Sequence, residues 1–156
     1  MELQTSLGQF AIGDEVILPS PTYASYIEQI TLAGGIPIFV PLTDTWGLDL
    51  PAIREAITPR TRAIILCNPG NPTGTVFSDD ETLALCRQAV ADNFVIITDE
   101  AYDYMVYDGD MPLSPLCMDE FRDHVISIYS LSPCPGTELS TAAFMTAPHA
   151  SSCGGS

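Results

Sequence analysis

The sequence predicts an α/β protein built on a mainly parallel sheet with helices on both faces. Three observations lead there. Apolar runs of strand length alternate with stretches of helical period through most of the chain. The runs at 62–66, 94–98 and 125–129 are apolar at nearly successive positions, the pattern of strands covered on both sides. Turn formers, chiefly Gly, Pro and Asn, separate the runs. Strands alternating with helices make βαβ units, and hence a parallel sheet.

Taken in order, residues 15–18 are a short apolar strand that Pro19 is expected to stop. Residues 22–32 read as a helix, because Tyr23, Tyr26, Ile27 and Ile30 recur at three- and four-residue spacing and Gly34-Gly35 ends the pattern. Residues 36–40 are the next strand. Pro37 near its start marks an edge position, since proline cannot donate to a ladder. Asp49 is placed to cap a helix through Ile57, with Leu50, Ile53 and Ile57 on one face and Pro51 in its first turn. The strand at 62–66 runs into a rigid polar loop at 68–74. Ser78 and Glu81 have capping-box spacing and start a helix to about Asp92. Strands at 94–98 and 125–129 complete the pattern. Beyond Tyr129 no period is visible, and residues 151–156 read as a disordered small-residue tail.

Composition narrows the function. The 156 residues are one domain's worth, and 46% hydrophobic content is enough for a core and too much for a disordered chain. No apolar stretch approaches the roughly 20 residues of a membrane span, and the first ten residues lack the basic-then-apolar order of a signal peptide. Five basic residues against 20 acidic ones give a net charge of −15. Such a surface repels phosphate backbones and anionic lipid, so no nucleic-acid or membrane partner is expected. All five basic residues are arginines (Arg54, Arg60, Arg62, Arg87 and Arg122), so chemistry that needs a lysine amine is excluded. The five cysteines contain no C-x-x-C pair. They read as reduced thiols of a cytoplasmic protein, without a zinc or redox motif.

Ligands of open α/β sheets bind at the carboxyl ends of the strands. The polar and aromatic residues just after each strand are therefore the candidates: Tyr23, Asn68, Asn71, Asp99, Glu100, Tyr102, Ser130 and Ser132. Other candidates are bland. His124 and His149 lack metal-ligand spacing and are expected at the surface. Asp79, Asp80 and Glu81 complement a helix dipole. Ser114, Ser130 and Ser132 have no G-x-S-x-G context for a hydrolase.

Segments 13–23 (GDEVILPSPTY), 68–74 (NPGNPTG) and 98–102 (TDEAY) resemble, in order and spacing, the class I/II aminotransferases, pyridoxal-phosphate (PLP) enzymes of fold type I. The likeness covers residues 13–132 and implies a partial large domain there, with 1–12 a lead-in and 133–156 a divergent, poorly ordered tail. It implies transfer of an amino group between an amino acid and a 2-oxo acid. By the same resemblance, Tyr23 stacks on the pyridine ring, Asn71 and Tyr102 hydrogen-bond its phenolic oxygen, and Asp99 faces the ring nitrogen. The Asn71-Pro72 bond resembles a cis peptide of the family. Ser130 and Ser132 match the serines of the family's S-x-S-K run and join the cofactor-binding set.

The run then departs from the family: Pro133 stands where the Schiff-base lysine belongs. Thr141 falls at the place of the phosphate-binding arginine and Ala143 at that of a glycine, although 144–148 again resembles the family. The family's Gly-rich phosphate turn and its small domain, with the substrate-carboxylate arginine, have no counterpart here. The expectation is a PLP-binding fragment without covalent attachment through lysine and inactive alone, able to dimerise with itself or with a full-length homologue. Two alternatives stand beside it: a non-catalytic interaction or regulatory module derived from this fold, and an α/β domain binding another planar ligand in the same crevice.

Overall fold

The computed structural model describes residues 11–107, 109, 111–130 and 143–146. The elements are β1 (Glu15–Ser20), α1 (Ser25–Leu32), β2 (Ile36–Pro41), α2 (Leu50–Ala56), β3 (Thr61–Cys67), α3 (Asp79–Asp92), β4 (Val95–Asp99), β5 (Val125–Ser130) and β6 (Ala143–Thr146). Three short 3-10 turns, Asp103–Met105, Pro115–Cys117 and Arg122–His124, fill the link from β4 to β5. The strands form one sheet in the order β2-β1-β3-β4-β5-β6. The first five are parallel, and β6 lies antiparallel to β5.

The chain moves from β1 outward to β2, then returns past β1 to β3 and continues to β4. Right-handed crossovers therefore place α1 on one face and α2 and α3 on the other. The core follows that division. Val16, Leu18, Ala63, Ile65, Cys67 and Ile97 pack with Tyr26 and Ile30 of α1. Ile17, Ile64, Leu66 and Ile96 pack with Ile53 of α2 and with Leu85, Cys86 and Ala89 of α3. Alternate residues of the central strands serve opposite faces and nearly all are buried, hence their continuous apolar runs.

The strand and helix types match the sequence pattern, and β2 is an edge strand, as Pro37 predicts. Four features differ. First, β1 continues through Pro19 to Ser20. It pairs with β3 only as far as Ile17, so beyond Leu18 it needs hydrogen bonds on the β2 side alone, and the proline is tolerated. Second, α1 begins at Ser25, leaving Tyr23 in the preceding turn. Third, Ala143–Thr146 forms a strand against β5 where the sequence shows no period. Fourth, His124 is half-buried and contacts the Phe94 carbonyl oxygen through Nδ1 at 2.9 Å. His149 and the tail at 151–156 lie outside the described residues. Cys67, Cys86 and Cys117 are free thiols. No helix of the described residues is long and apolar enough to cross a membrane.

Two polar clamps fix the layers. At the amino ends of the strands, buried Glu15 accepts bonds from Arg60 Nε at 2.8 Å and from Thr58 Oγ1 at 2.5 Å. The Thr58 hydrogen bond, then Arg60, holds the Glu15 carboxyl below the usual range. At the other end, Ser78 and Glu81 form the capping box of α3, and Glu81 Oε1 also accepts the Leu48 N–H at 2.7 Å. That carboxylate joins α3 to the turn before α2.

Candidate functional site

The strand order reverses between β1 and β3, and such a switch point opens a crevice at the carboxyl ends of the strands. Here the crevice is lined by Pro19 near the end of β1 and Pro21 just after it, Leu42 after β2, Cys67 at the end of β3, and Gly70 and Asn71 after it. The loop leaving β3 is tightly folded. Asn68 Oδ1 accepts the Phe77 N–H at 3.0 Å, Gly70 N–H donates to Thr75 O at 2.8 Å, and Gly74 N–H to Gly70 O at 2.7 Å. The Ser20-Pro21, Asn68-Pro69 and Asn71-Pro72 bonds are cis. This folding holds Asn71 at the rim.

The sheet register sets Cys67 beside Asp99, and Asn68 N–H donates to Asp99 O at 3.1 Å, so the ends of β3 and β4 are adjacent. Tyr102, three residues past Asp99, accepts a hydrogen bond at Oη from Asn71 Nδ2 at 3.3 Å. The Asp99 carboxylate accepts the Tyr26 hydroxyl at Oδ2, 2.5 Å, and the Ala101 N–H at Oδ1, 3.1 Å. Tyr23 stands edge-on to Tyr26 with ring centroids 5.5 Å apart, and is half exposed at the rim. The fold thus gathers Tyr23, Asn71, Asp99 and Tyr102 on one rim. Ser130 ends β5 on the same rim, and Ser132 lies outside the described residues.

Two candidates point elsewhere. Asn68 is buried and closes its own loop. Glu100 turns to the α3 face, where Oε1 accepts from Thr98 Oγ1 at 2.7 Å and Ser114 Oγ at 2.9 Å. Conversely, the residue patterns single out neither Tyr26 nor Cys67 as a site group. The signal for Tyr26 is its spacing: three residues after Tyr23, on the side of α1 that faces the strand carrying Asp99. Burial, with the Asp99 charge, raises the Cys67 thiol to about 11. Burial, then the neighbouring Cys67 and the Asp99 charge, push the Tyr26 phenol far above its ordinary value. At neutral pH both keep their protons, and Tyr26 remains a donor to Asp99.

The donor set suits a pyridine ring bearing an oxygen substituent. A carboxylate offers about four lone-pair directions, so two accepted bonds leave Asp99 capacity for a ring N–H. The amide of Asn71 and the hydroxyl of Tyr102 are donors for an oxyanion. Among the described residues, this rim carries no cation for a phosphate. Arg60 and Arg62 lie at the start of β3, Arg122 precedes β5, Arg87 is in the second half of α3, and Arg54 is in the last turn of α2, bonded to Gln88. All five lie toward the opposite end of the sheet.

A family profile described as aminotransferase class I and II matches residues 2–133, reaching further toward the amino terminus than the motifs do. The probable N-succinyldiaminopimelate aminotransferase of Mycobacterium tuberculosis is 39% identical over 142 residues, covering 87% of this chain and 36% of the relative. The probable aspartate/prephenate aminotransferase of Aquifex aeolicus is 39% identical over 123 residues, with 77% and 31% covered. Among solved structures, the Mycobacterium tuberculosis enzyme superposes with a TM-score of 0.79 at 40% identity, over 83% of this chain and 34% of that one. The aromatic aminotransferase of Pyrococcus horikoshii does so with a TM-score of 0.87 at 28% identity, over 94% and 40%. The chain spans about a third of the length of the curated relatives it matches.

Proposed function

The chain belongs to the class I and II aminotransferases, and from that premise we propose that residues 13–132 are part of the large domain of an enzyme moving an amino group between an amino acid and a 2-oxo acid. On this reading 1–12 lead into the domain and 133–156 diverge from it. The observation that supports it most directly is the meeting of Asp99, Asn71 and Tyr102 where β3 and β4 end side by side. PLP, when bound, supplies an electron sink for the carbanion formed at the substrate carbon. Asp99 accepts the ring N–H, held in place by Tyr26. Asn71 turns its amide donor from Tyr102 onto the phenolic oxygen, Tyr102 adds its hydroxyl, and Tyr23 covers the ring at the rim. Ser130, at the end of β5, and Ser132 belong to the same cofactor-binding set on this reading.

The chain as it stands is catalytically inert on this proposal. No lysine is present for covalent attachment, Pro133 occupies the lysine's place, and the arginines are at the wrong end of the sheet to grip a phosphate or a substrate carboxylate. A cytoplasmic location and pairing with a full-length relative go with it.

The test is a titration of the purified chain with PLP and, separately, with pyridoxal, read by visible absorbance and protein fluorescence. Borohydride reduction with mass mapping, and a transaminase assay, follow. Both compounds are expected to bind weakly and alike, because no cation rewards the phosphate. Asp99→Asn weakens both about tenfold, as loss of about 1.4 kcal/mol does. No side chain carries a reduced adduct. Binding unaffected by Asp99→Asn refutes the ring assignment. Turnover by the unmodified chain, with host transaminases excluded, refutes inactivity.

A further inference from the structure

Behind the rim, on the face opposite Asp99, a second polar spot is built from buried side chains. Glu100 is 93% buried by its 7% exposure, Thr98 and Thr82 are each 1% exposed, and all three line one cavity with Leu66, Asn68 and Leu113. Its volume is about 10 Å³, the lower limit for a single water. Glu100 Oε1 accepts Thr98 Oγ1 and Ser114 Oγ, and a hydroxyl chain continues from Thr98 to Ser127 at 2.8 Å and from Ser114 to Tyr129 at 3.3 Å. Thr82, in the first turn of α3, contributes to none of this: its Oγ1 is fully buried and has no hydrogen-bond partner among the described residues. An unpaired buried hydroxyl is destabilising, and native proteins satisfy nearly all of them.

We infer that this cavity is a binding site for one water molecule, which accepts a hydrogen bond from the Thr82 hydroxyl and donates one to the Glu100 carboxylate. The stoichiometry fits. A buried water makes two to four hydrogen bonds, and the lining offers Thr82, Glu100 and Thr98 together. The water's place in the fold gives it a task. Glu100 and Ser114 are tied at the stem of the segment that leaves β4, and that segment carries Tyr102. The same stem meets α3 through Leu113 N–H and Asp79 Oδ1 at 3.2 Å. The water is the second joint between helix and stem, made inside the core where Asp79 is outside it. The inference stands on the packing alone and does not need a cofactor.

Its test is a change of sign. Thr82→Val keeps the shape and removes the hydroxyl. If Thr82 is merely unpaired, the valine removes a buried polar group for nothing and Tm rises or stays. If it holds the water, the valine strands the water and the Glu100 oxygen, and Tm falls by a few degrees, while Thr82→Ser stays close to the parent. The second readout is the water-to-protein Overhauser effect at Thr82 in the full chain. We expect a long-lived water there, lost in Thr82→Val and retained in Thr82→Ser. A valine variant as stable as the parent, or no bound water at Thr82 in the parent, overturns the inference.

Discussion

Tyr26 and Asp99 are 73 positions apart in sequence and share the shortest hydrogen bond of the candidate site, hydroxyl to Oδ2 at 2.5 Å. The bond crosses from the first helix to the end of the fourth strand, and the phenol that makes it is 3% exposed. A hydrogen bond to a charged group contributes about 1.5–3 kcal/mol. Tyr26→Phe is therefore expected to lower the urea-unfolding free energy by about 1.5 kcal/mol or more. Asp99→Asn in the Tyr26→Phe background should cost less than in the parent, since the two groups act as a pair. Additive effects of the two substitutions mean that the bond contributes nothing.

Restoring the absent amine should not restore catalysis. Pro133→Lys is expected to give no transaminase turnover, because the arginines of this chain lie toward the amino ends of the strands and none reaches the rim that carries Asp99 and Asn71. Turnover by this single variant would mean that the phosphate and carboxylate are held by groups other than side-chain cations.

The sheet was legible because its strands are covered on both sides. Ile64, Ile65 and Leu66 serve opposite cores in turn and all are buried, so the run itself reports the environment. The caps were legible for a similar reason: Ser78, Glu81 and Asp49 satisfy backbone N–H groups a few residues away. What depends on distant partners was not. Pro19 is admitted to β1 by the early end of its pairing with β3, and β6 exists through its pairing with β5. Neither is written in the local pattern.

The site divides along the same line. Asn71, Asp99 and Tyr102 sit in short motifs next to strand ends, so sequence and topology together place them. Asn68 and Glu100 occupy equally promising positions, but the alternation of the backbone sends Glu100 to the α3 face and Asn68 into its own loop. Tyr26 escaped notice because a tyrosine on an apolar helix stripe reads as core until its hydroxyl is followed to a partner.

Gly47 is required by contact. A Cβ there would lie 2.6 Å from Glu81 Oε1, and that oxygen is pinned by the Leu48 N–H while its fellow holds Ser78. Gly47→Ala should destabilise the fold by about 1 kcal/mol or more, as overpacking does. In a Glu81→Ala background, which loses the cap but frees the space, the same change should cost far less. Equal costs in both backgrounds would show that the carboxylate is not what excludes the alanine.

On the acid side, Glu15 is held below its ordinary value by Thr58 and Arg60. A depressed folded-state carboxyl contributes stability above the unfolded value of 4.5, and that contribution is lost as pH falls below it. Glu15→Gln should therefore flatten the acid limb of the stability–pH curve between about pH 5 and its low end. An unchanged limb would assign acid unfolding to other carboxylates.

On the alkaline side the groups are buried thiols and phenols. Burial raises Cys67 and Cys86 from 9.0 to about 11, and Tyr26 is raised as well. Each keeps its proton in the folded chain after the unfolded chain has lost it. Stability from these groups is complete below pH 9 and declines as pH rises toward 11, with a slope of at most one proton per group. The midpoint of urea unfolding should thus hold steady through neutral pH and fall from about pH 9 upward. Cys67→Ser replaces a titrating group by one that does not titrate, so its curve should fall less steeply over that window, whatever its stability at pH 7. A serine variant with the parent's slope would remove Cys67 from the alkaline limb and leave the loss to the other raised groups, Cys86, Tyr26 and Tyr129.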